Sequence, residues 1–139
     1  MEQGSALALP MREDGAPIRF LCVDDSEFML KSLRQIITSF GGEVVDFAHD
    51  GLEALHKYQG LADQIDIVTL DITMPNMDGL TCLDKLREMN PKVRIIMISA
   101  LGSGEVVKTA ILKGAKHFIV KPFQRQKVYE AIVSVHAKR

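Results

Sequence analysis

The sequence has few of the features that mark secreted, membrane or nucleic-acid-binding proteins. Its 139 residues contain two cysteines and no tryptophan, and the formal net charge is -1 at pH 7. Two cysteines far apart in the chain exclude a disulfide framework, and the near-zero charge excludes nucleic-acid binding through bulk charge. No apolar run approaches the roughly 20 residues of a membrane-spanning helix. We therefore expect a soluble cytoplasmic protein that binds neither nucleic acid nor membrane.

The apolar content and the length are typical of one folded domain. Hydrophobic residues make up 47% of the 139 positions, which excludes disorder of the whole chain. Residues 1–17 show no periodic pattern, and Pro10, Gly15 and Pro17 interrupt them. We expect residues 1–17 to form a flexible N-terminal tail and residues 18–139 to form the domain.

From residue 18 onward, short apolar runs alternate with amphipathic stretches of helical length. Runs rich in Ile, Val and Phe lie at 18–23, 65–70, 93–98 and 117–120, with a weaker one at 43–47. Such continuous runs indicate strands covered on both faces. Glycines at Gly41, Gly42, Gly60 and Gly114 are expected to end helices. The alternation predicts a doubly wound α/β fold, a three-layer sandwich with a five-stranded parallel sheet.

Polar side chains follow the predicted strands at the positions where such folds carry function. Asp24 and Asp25 follow the first strand, Asp71 the third, Ser99 the fourth and Lys121 the fifth. The carboxyl ends of parallel strands share one edge, so we expect these residues to lie together. Three close carboxylates need a cation. Magnesium and the Lys121 ammonium are the two candidates.

These residues resemble a known family, the receiver domain of bacterial response regulators. The stretch 71–79 (DITMPNMDG) is similar to the family's phosphoacceptor loop. The other matches are the acidic pair Asp24-Asp25, the hydroxyl-then-small pair Ser99-Ala100 and the pair Lys121-Pro122. The chain is most similar to the stand-alone, chemotaxis-type (CheY-like) regulators, since no effector domain follows the last predicted helix. The resemblance implies the flavodoxin-like strand order 2-1-3-4-5 and a cis bond before Pro122.

The resemblance implies a role for each residue at the strand ends. Asp71 is the expected phosphoacceptor, which takes a phosphoryl group from a histidine kinase. Asp25, Asp71 and the backbone carbonyl of Thr73 are the expected direct Mg²⁺ ligands, and Asp24 is expected to act through a coordinated water. Lys121 and Ser99 are expected to contact phosphoryl oxygens.

The resemblance also implies a conformational switch. When the phosphoryl group draws in Ser99, Phe118 is expected to rotate into the space it leaves, and Ala100 must stay small for the phosphoryl group to approach. Output is expected on the face formed by the fourth helix, fifth strand and fifth helix. Packing alone is the other interpretation of Phe118.

Two positions depart from common choices in the family. Thr73 lies two residues after Asp71, and Leu101 lies two residues after Ser99. Both are expected to flank the path by which water attacks the acyl phosphate. Because Leu101 is large and apolar, we expect slow hydrolysis.

Two other functions fit the sequence less well. A phosphohydrolase of the haloacid dehalogenase type needs a general acid where Thr73 lies, and Asp24-Asp25 would repel the phosphate of a flavin. The remaining alternative is a relay or phosphate-sink receiver of another two-component pathway. The expected partners are a chemotaxis histidine kinase, a flagellar motor switch and a phosphatase. We expect a monomeric signalling protein, not an enzyme, although it promotes its own phosphorylation and dephosphorylation.

Overall fold

Strands and helices alternate along the chain as the apolar pattern predicts. The computed structural model describes residues 7–137. The strands are β1 (Arg19–Val23), β2 (Glu43–Ala48), β3 (Ile67–Leu70), β4 (Arg94–Ser99) and β5 (His117–Val120). The helices are α1 (Glu27–Ser39), α2 (Gly51–Leu61), α3 (Gly79–Met89), α4 (Gly104–Leu112) and α5 (Arg125–Ala137), with a 3₁₀ turn at Ala62–Gln64 after α2.

The five strands form one parallel sheet in the order β2-β1-β3-β4-β5. This order confirms the predicted doubly wound, flavodoxin-like fold. Val23 pairs with Leu70, so the residues that follow them leave the sheet at the same level. Ser99 pairs with Val120 at the end of β4 and β5. The register therefore brings the four polar loops to one edge of the sheet.

Two buried clusters hold helices against the two faces of the sheet. Alternate residues of a strand point to opposite faces, and β1 illustrates this. Leu21 and Val23 join the cluster under α2, α3 and α4, whereas Phe20 and Cys22 join the cluster under α1 and α5. Burial on both faces explains why the strands read as continuous apolar runs.

Four helices begin on a side chain that accepts a backbone hydrogen bond. The caps are Ser26, Asp50, Asp78 and Ser103, which accept from Met29, Glu53, Thr81 and Val106 respectively. Each of these caps lies in a loop at the carboxyl edge of the sheet. The loops that carry the polar residues are thus fixed at their helical ends.

The glycine expectations hold at three positions and are wrong at one. Gly41 and Gly114 have φ values of +93 and +111 and follow the ends of α1 and α4. Gly42 lies between α1 and β2, and its N–H donates to the Ile37 carbonyl near the end of α1 at 2.9 Å. Gly60 lies inside α2, which continues to Leu61. The helix passes through Gly60 because glycine lowers helical stability without preventing helical dihedrals.

Part of the expected N-terminal tail lies against the domain. The side chain of Leu9 is buried beside the α1–α5 cluster, and its N–H donates to the carbonyl of Phe40 at 2.9 Å. The Tyr129 hydroxyl donates to the carbonyl of Ala8, and Arg12 pairs with Asp66 at 3.5 Å. Residues 1–6 of the expected tail lie outside the described residues. The boundary before residue 18 stays a prediction.

The described helices carry no segment suited to a bilayer. Within residues 7–137 no helix is both long enough and apolar enough to cross a membrane.

Candidate functional site

Asp24, Asp71 and Lys121 meet at the carboxyl edge of the sheet. Asp24 and Asp71 directly follow the paired ends of β1 and β3, and both are buried, with 1% and 6% of their surface exposed. The Lys121 Nζ lies 2.8 Å from the Asp24 Oδ2 and 3.1 Å from the Asp71 Oδ2. One ammonium therefore bridges two buried carboxylates supplied by neighbouring strands.

Burial and the neighbouring charges shift the pKa values of the residues in this bridge in opposite directions. Burial raises the pKa of Asp24, and the hydrogen bonds from Lys121 and from the N–H of Ser26 oppose that rise. Burial lowers the pKa of Lys121, but the contacts with Asp24 and Asp71 outweigh it and leave that pKa raised. Lys121 is therefore a firmly held cation at neutral pH.

The acidic cluster has the donor set of a hard divalent cation. Asp24, Asp25 and Asp71 each present one carboxylate oxygen, and these three atoms lie within 4.8 Å of one another. Asp25 is exposed while the other two are buried. Carboxylate and carbonyl oxygens are the ligands Mg²⁺ takes in proteins, with water completing its shell. The residues present fit a magnesium ion.

The loop from Asp71 to Gly79 turns tightly against its own start. The Asp71 Oδ1 accepts from the N–H of Ile72 at 2.7 Å, and the Gly79 N–H donates to the Ile72 carbonyl at 2.7 Å. A Cβ on Gly79 would lie 1.9 Å from the Asp71 carbonyl oxygen. Only glycine permits this close approach, which carries the chain directly from the loop into α3.

The loop after β4 places a hydroxyl beside an exposed small residue. Ser99 is buried, and its Oγ accepts from the Leu101 N–H at 3.2 Å. Ala100, the next residue, is exposed. Leu101 is 48% exposed and lies with Thr73 along a groove of about 400 Å³ between the loops after β3 and β4. A salt bridge of 2.9 Å joins Asp84 to Lys113, which also line that groove.

Phe118 is half-buried at the exposed edge of the sheet. Its ring packs against the cluster under α2, α3 and α4. It also borders a groove of about 630 Å³, which Val120, Pro122 and Phe123 line as well. The Lys121-Pro122 bond is cis, as predicted. Phe118 is thus in contact with both the core and an open surface.

A second group of residues ties the site loops together, and the sequence reasoning missed it. Asp50, the cap of α2, accepts from the Asn76 Nδ2 at 2.7 Å. His49 contacts Glu27 through Nε2 and Glu53 through Nδ1. Asn76 has a φ of +68 in the middle of the phosphoacceptor-like loop. The Ser-or-Asp cap pattern could have identified Asp50, whereas nothing in the sequence pairs it with Asn76.

Both cysteines are buried free thiols, as expected. Burial raises the pKa of Cys22 and of Cys82 to about 12. Neither thiol is ionised at neutral pH, so neither supplies a nucleophile.

Comparison with known proteins agrees with this geometry. Residues 20–133 match the family model described as the response regulator receiver domain. The chain belongs to this family. It is 51% identical over 124 residues to the chemotaxis protein CheY of Treponema pallidum, covering 89% of this chain and 86% of that protein. It is 47% identical over 114 residues to CheY of Bacillus subtilis, covering 82% and 93% respectively.

A solved structure shows the same likeness. The crystal structure of the CheX-CheY-BeF3-Mg²⁺ complex from Borrelia burgdorferi matches with a TM-score of 0.90 and 48% identity, covering 98% of this chain and 100% of that one. Family and relatives confirm the predicted class of function, a phosphorylation-activated response regulator in chemotaxis. The chain is a signalling protein.

Proposed function

We propose that Asp71 is the phosphoacceptor of this response regulator and that the phosphoryl group switches a protein-interaction surface. The observation that carries the proposal is the bridge of Lys121 between the buried carboxylates of Asp24 and Asp71. Buried carboxylates held by one lysine at the carboxyl edge of a doubly wound sheet suit the capture of a phosphoryl group.

The transfer itself is a displacement at phosphorus. An oxygen of the Asp71 carboxylate forms a bond to the phosphorus of a phosphohistidine on the kinase, and the phosphorus–nitrogen bond breaks. The released imidazole nitrogen takes up a proton, and Asp71 becomes an acyl phosphate. The phosphoryl group keeps its charge, so the site must supply cations.

Asp25, Asp71 and the Thr73 carbonyl are the groups we assign to direct Mg²⁺ binding, with Asp24 acting through water. When bound, the ion supplies charge neutralisation for the transferring group. Asp24 and Asp71 also orient Lys121, whose Nζ is already 3.1 Å from the Asp71 Oδ2. Lys121 can therefore pair with an oxygen of the attached phosphoryl group with little movement.

The conformational change that follows phosphorylation involves the loop after β4 and the edge strand β5. We assign to Ser99 the donation of its hydroxyl proton to a phosphoryl oxygen, since in the contact with the Leu101 N–H the Ser99 Oγ is the acceptor and its proton is not used. Ala100 keeps the approach open, and Phe118 turns toward the position that Ser99 leaves. The groove beside Phe118, which β5, the loop after it and α5 line, changes shape as a result. We assign the output to the face of α4, β5 and α5.

The partners we assign to this chain follow from its chemotaxis relatives. They are a chemotaxis histidine kinase, a flagellar motor switch and a phosphatase of the CheX kind, and the chain acts as a cytoplasmic monomer without binding nucleic acid. The protein takes a phosphoryl group from its donor onto its own aspartate and loses it to water, so it is a phosphoacceptor that assists its own phosphorylation and dephosphorylation.

The test follows the intact mass of the purified chain with acetyl phosphate as the phosphodonor. We expect one phosphoryl adduct in the presence of Mg²⁺, none with a chelator and none in Asp71→Ala. Asp78→Ala is the matched control, because Asp78 lies in the same loop but caps α3. That variant should still be phosphorylated. An adduct that persists in Asp71→Ala would overturn the proposal.

A further inference from the structure

The turn between β2 and α2 touches the loop that carries Asp71. We call residues His49, Asp50 and Gly51 the α2 corner. Gly51 is buried, and a Cβ there would lie 2.9 Å from Cβ, Cγ and the carbonyl oxygen of Met77. The Cys82 thiol donates to the Gly51 carbonyl at 3.7 Å. The α2 corner therefore packs directly on the middle and the end of the phosphoacceptor loop.

Asp50 uses both carboxylate oxygens at this contact. Its Oδ1 accepts from the Glu53 N–H at 2.8 Å, which caps α2, and its Oδ2 accepts from the Asn76 Nδ2 at 2.7 Å. The two hydrogen bonds hold the pKa of Asp50 below its ordinary value. One ionised carboxylate thus joins a helix end to the phosphoacceptor loop.

Asn76 is the residue at which that loop takes its least common backbone conformation. Its φ of +68 lies in the left-handed region, which asparagine tolerates better than most residues. The Met77 N–H donates to the Pro75 carbonyl at 2.7 Å and so closes a tight turn around Asn76. Further along the loop the Gly79 N–H donates to the Ile72 carbonyl. The Asp50 contact therefore acts at the turn that decides how residues 71–79 fold back.

We propose that Asp50 and Asn76 are positioning residues for phosphorylation: their hydrogen bond fixes the loop that presents the Asp71 carboxylate and the Thr73 carbonyl. Neither side chain touches the reacting atoms. Their effect passes through the backbone of the loop, and both the rate of phosphoryl uptake and the affinity for Mg²⁺ depend on it. The inference rests on the proposed function of Asp71.

Two substitutions break the hydrogen bond and leave the local backbone intact. Asn76→Gly keeps a residue that adopts positive φ and removes only the side chain. Asp50→Ser keeps a good helix cap and removes the second oxygen that reaches Asn76. Because Asp50→Ser also removes a negative charge, the two changes are compared singly and together as a double-mutant cycle.

The measurements are phosphorylation by acetyl phosphate at saturating Mg²⁺, Mg²⁺ affinity by calorimetry, and hydrogen exchange at the Gly79 amide without metal. In the parent background we expect Asn76→Gly to slow phosphorylation and weaken Mg²⁺ binding by about two- to fivefold, the effect of one exposed hydrogen bond. Gly79 should exchange faster by a similar factor. In the Asp50→Ser background Asn76→Gly should change none of the three.

Asp50→Asn is the conservative rescue. Asparagine still caps the helix, and rotation of the Asn76 amide restores a hydrogen bond to the new amide. We expect the Gly79 exchange rate of Asp50→Asn to lie close to that of the parent and below that of Asp50→Ser. An Asp50→Asn rate equal to that of Asp50→Ser would count against the hydrogen bond as the route.

The outcomes separate this inference from the function on which it rests. Equal effects of Asn76→Gly in both backgrounds overturn it, as does faster exchange with unchanged phosphorylation and Mg²⁺ affinity. Each of those results leaves the phosphorylation of Asp71 standing in the parent. A parent chain that takes up no phosphoryl group overturns the proposed function and this inference with it.

Discussion

Lys121 is a cation that bridges two buried carboxylates. Its side chain is 17% exposed and contacts Asp24, whose side chain is 2% exposed, and Asp71, whose side chain is 8% exposed. A buried carboxylate without a partner cation is costly, so the lysine stabilises the fold as well as the site.

Replacing Lys121 should therefore destabilise the protein in a way that magnesium partly reverses. We expect Lys121→Met to lower the free energy of unfolding at neutral pH by about 2 kcal/mol without metal, because Asp24 stays buried without its partner. Mg²⁺ should stabilise the variant more than it stabilises the parent, since the ion then supplies the missing positive charge. Urea unfolding with and without Mg²⁺ measures both effects. Equal stability of the two metal-free proteins would contradict the prediction.

The effect of Leu101 on hydrolysis of the acyl phosphate can be tested separately from its effect on stability. Its side chain is 48% exposed, so its truncation costs little packing. We expect Leu101→Ala to shorten the lifetime of the phosphorylated protein several-fold. The reason is that water then reaches the acyl phosphate through the groove that Leu101 and Thr73 line. Loss of the phosphoryl adduct is followed by intact mass after removal of the phosphodonor. Leu112→Ala, at a 77% exposed position on α4, is the control that should keep the parent lifetime. An unchanged lifetime in Leu101→Ala would refute the idea.

Sequence reasoning predicted the polar residues of the site because each directly follows an apolar run. Asp24, Asp71, Ser99 and Lys121 are fixed by strand ends, and parallel strands end at one edge. It could not distinguish the buried Asp24 from the exposed Asp25, because a bend after the last paired residue decides which carboxylate points inward. The contact of Asp50 with Asn76 was missed because it joins two loops 26 residues apart.

At the scale of elements, two glycines of the helices make a matched pair. A Cβ on Gly79 would lie 1.9 Å from the Asp71 carbonyl oxygen, whereas a Cβ on Gly60 would meet nothing within 4 Å. We expect Gly79→Ala to lower the free energy of unfolding by about 3 kcal/mol, since α3 must shift. Gly60→Ala should raise it by about 0.5–1 kcal/mol through higher helix propensity. Thermal unfolding of both variants tests the pair, and a stable Gly79→Ala protein would show that the loop can relax.

The first turns of α1 and α2 are joined by a histidine. Hydrogen bonds to Glu27 and then to Glu53 raise the pKa of His49 above its ordinary 6.5. Asp50 adjoins the ring in sequence, and Lys57 pairs with Glu53 at 3.4 Å. A raised pKa means that the imidazolium contributes stability at a pH below the ordinary value, and that this contribution is lost as pH rises through the folded value.

The stability lost on substituting this histidine should therefore depend on pH. We expect the gap in unfolding free energy between the parent and His49→Gln to be greatest near about pH 6 and to shrink toward about pH 9. Urea unfolding at several pH values measures the gap. A His49→Gln gap that grows with pH would show that the sign of the linkage is wrong.

At the scale of the whole molecule, residues 7–17 lie at the edge opposite to Asp71. Arg12 pairs with Asp66, which precedes β3, and Leu9 covers the end of α1 with 8% of its surface exposed. The apolar residues of this segment show no helical or strand period, because the segment packs irregularly against the surface of the domain and forms no helix or strand. That is why composition predicted a tail while the structure shows contacts for residues 7–17.

These contacts predict a separation of stability from phosphorylation. We expect Leu9→Ala to lower the free energy of unfolding by about 2 kcal/mol and to leave the phosphorylation rate of the folded protein unchanged. Met11→Ala is the control in the same segment, where the side chain is 65% exposed, and it should change stability by less than about 0.5 kcal/mol. A reduced phosphorylation rate in Leu9→Ala would mean that the two edges of the sheet communicate.

The register of the parallel sheet makes the amount of protein that can signal depend on the stability of the whole fold. The site combines residues from four strand ends, namely Asp24, Asp71, Ser99 and Lys121. These residues lie close together only while β1, β3, β4 and β5 are paired. A fragment that lacks any of these strands presents a phosphodonor with only an ordinary solvated aspartate. Each molecule therefore leaves the pathway when it unfolds and rejoins it when it refolds. A substitution that lowers the stability of the fold therefore lowers the amount of protein that can signal, without any change in its synthesis.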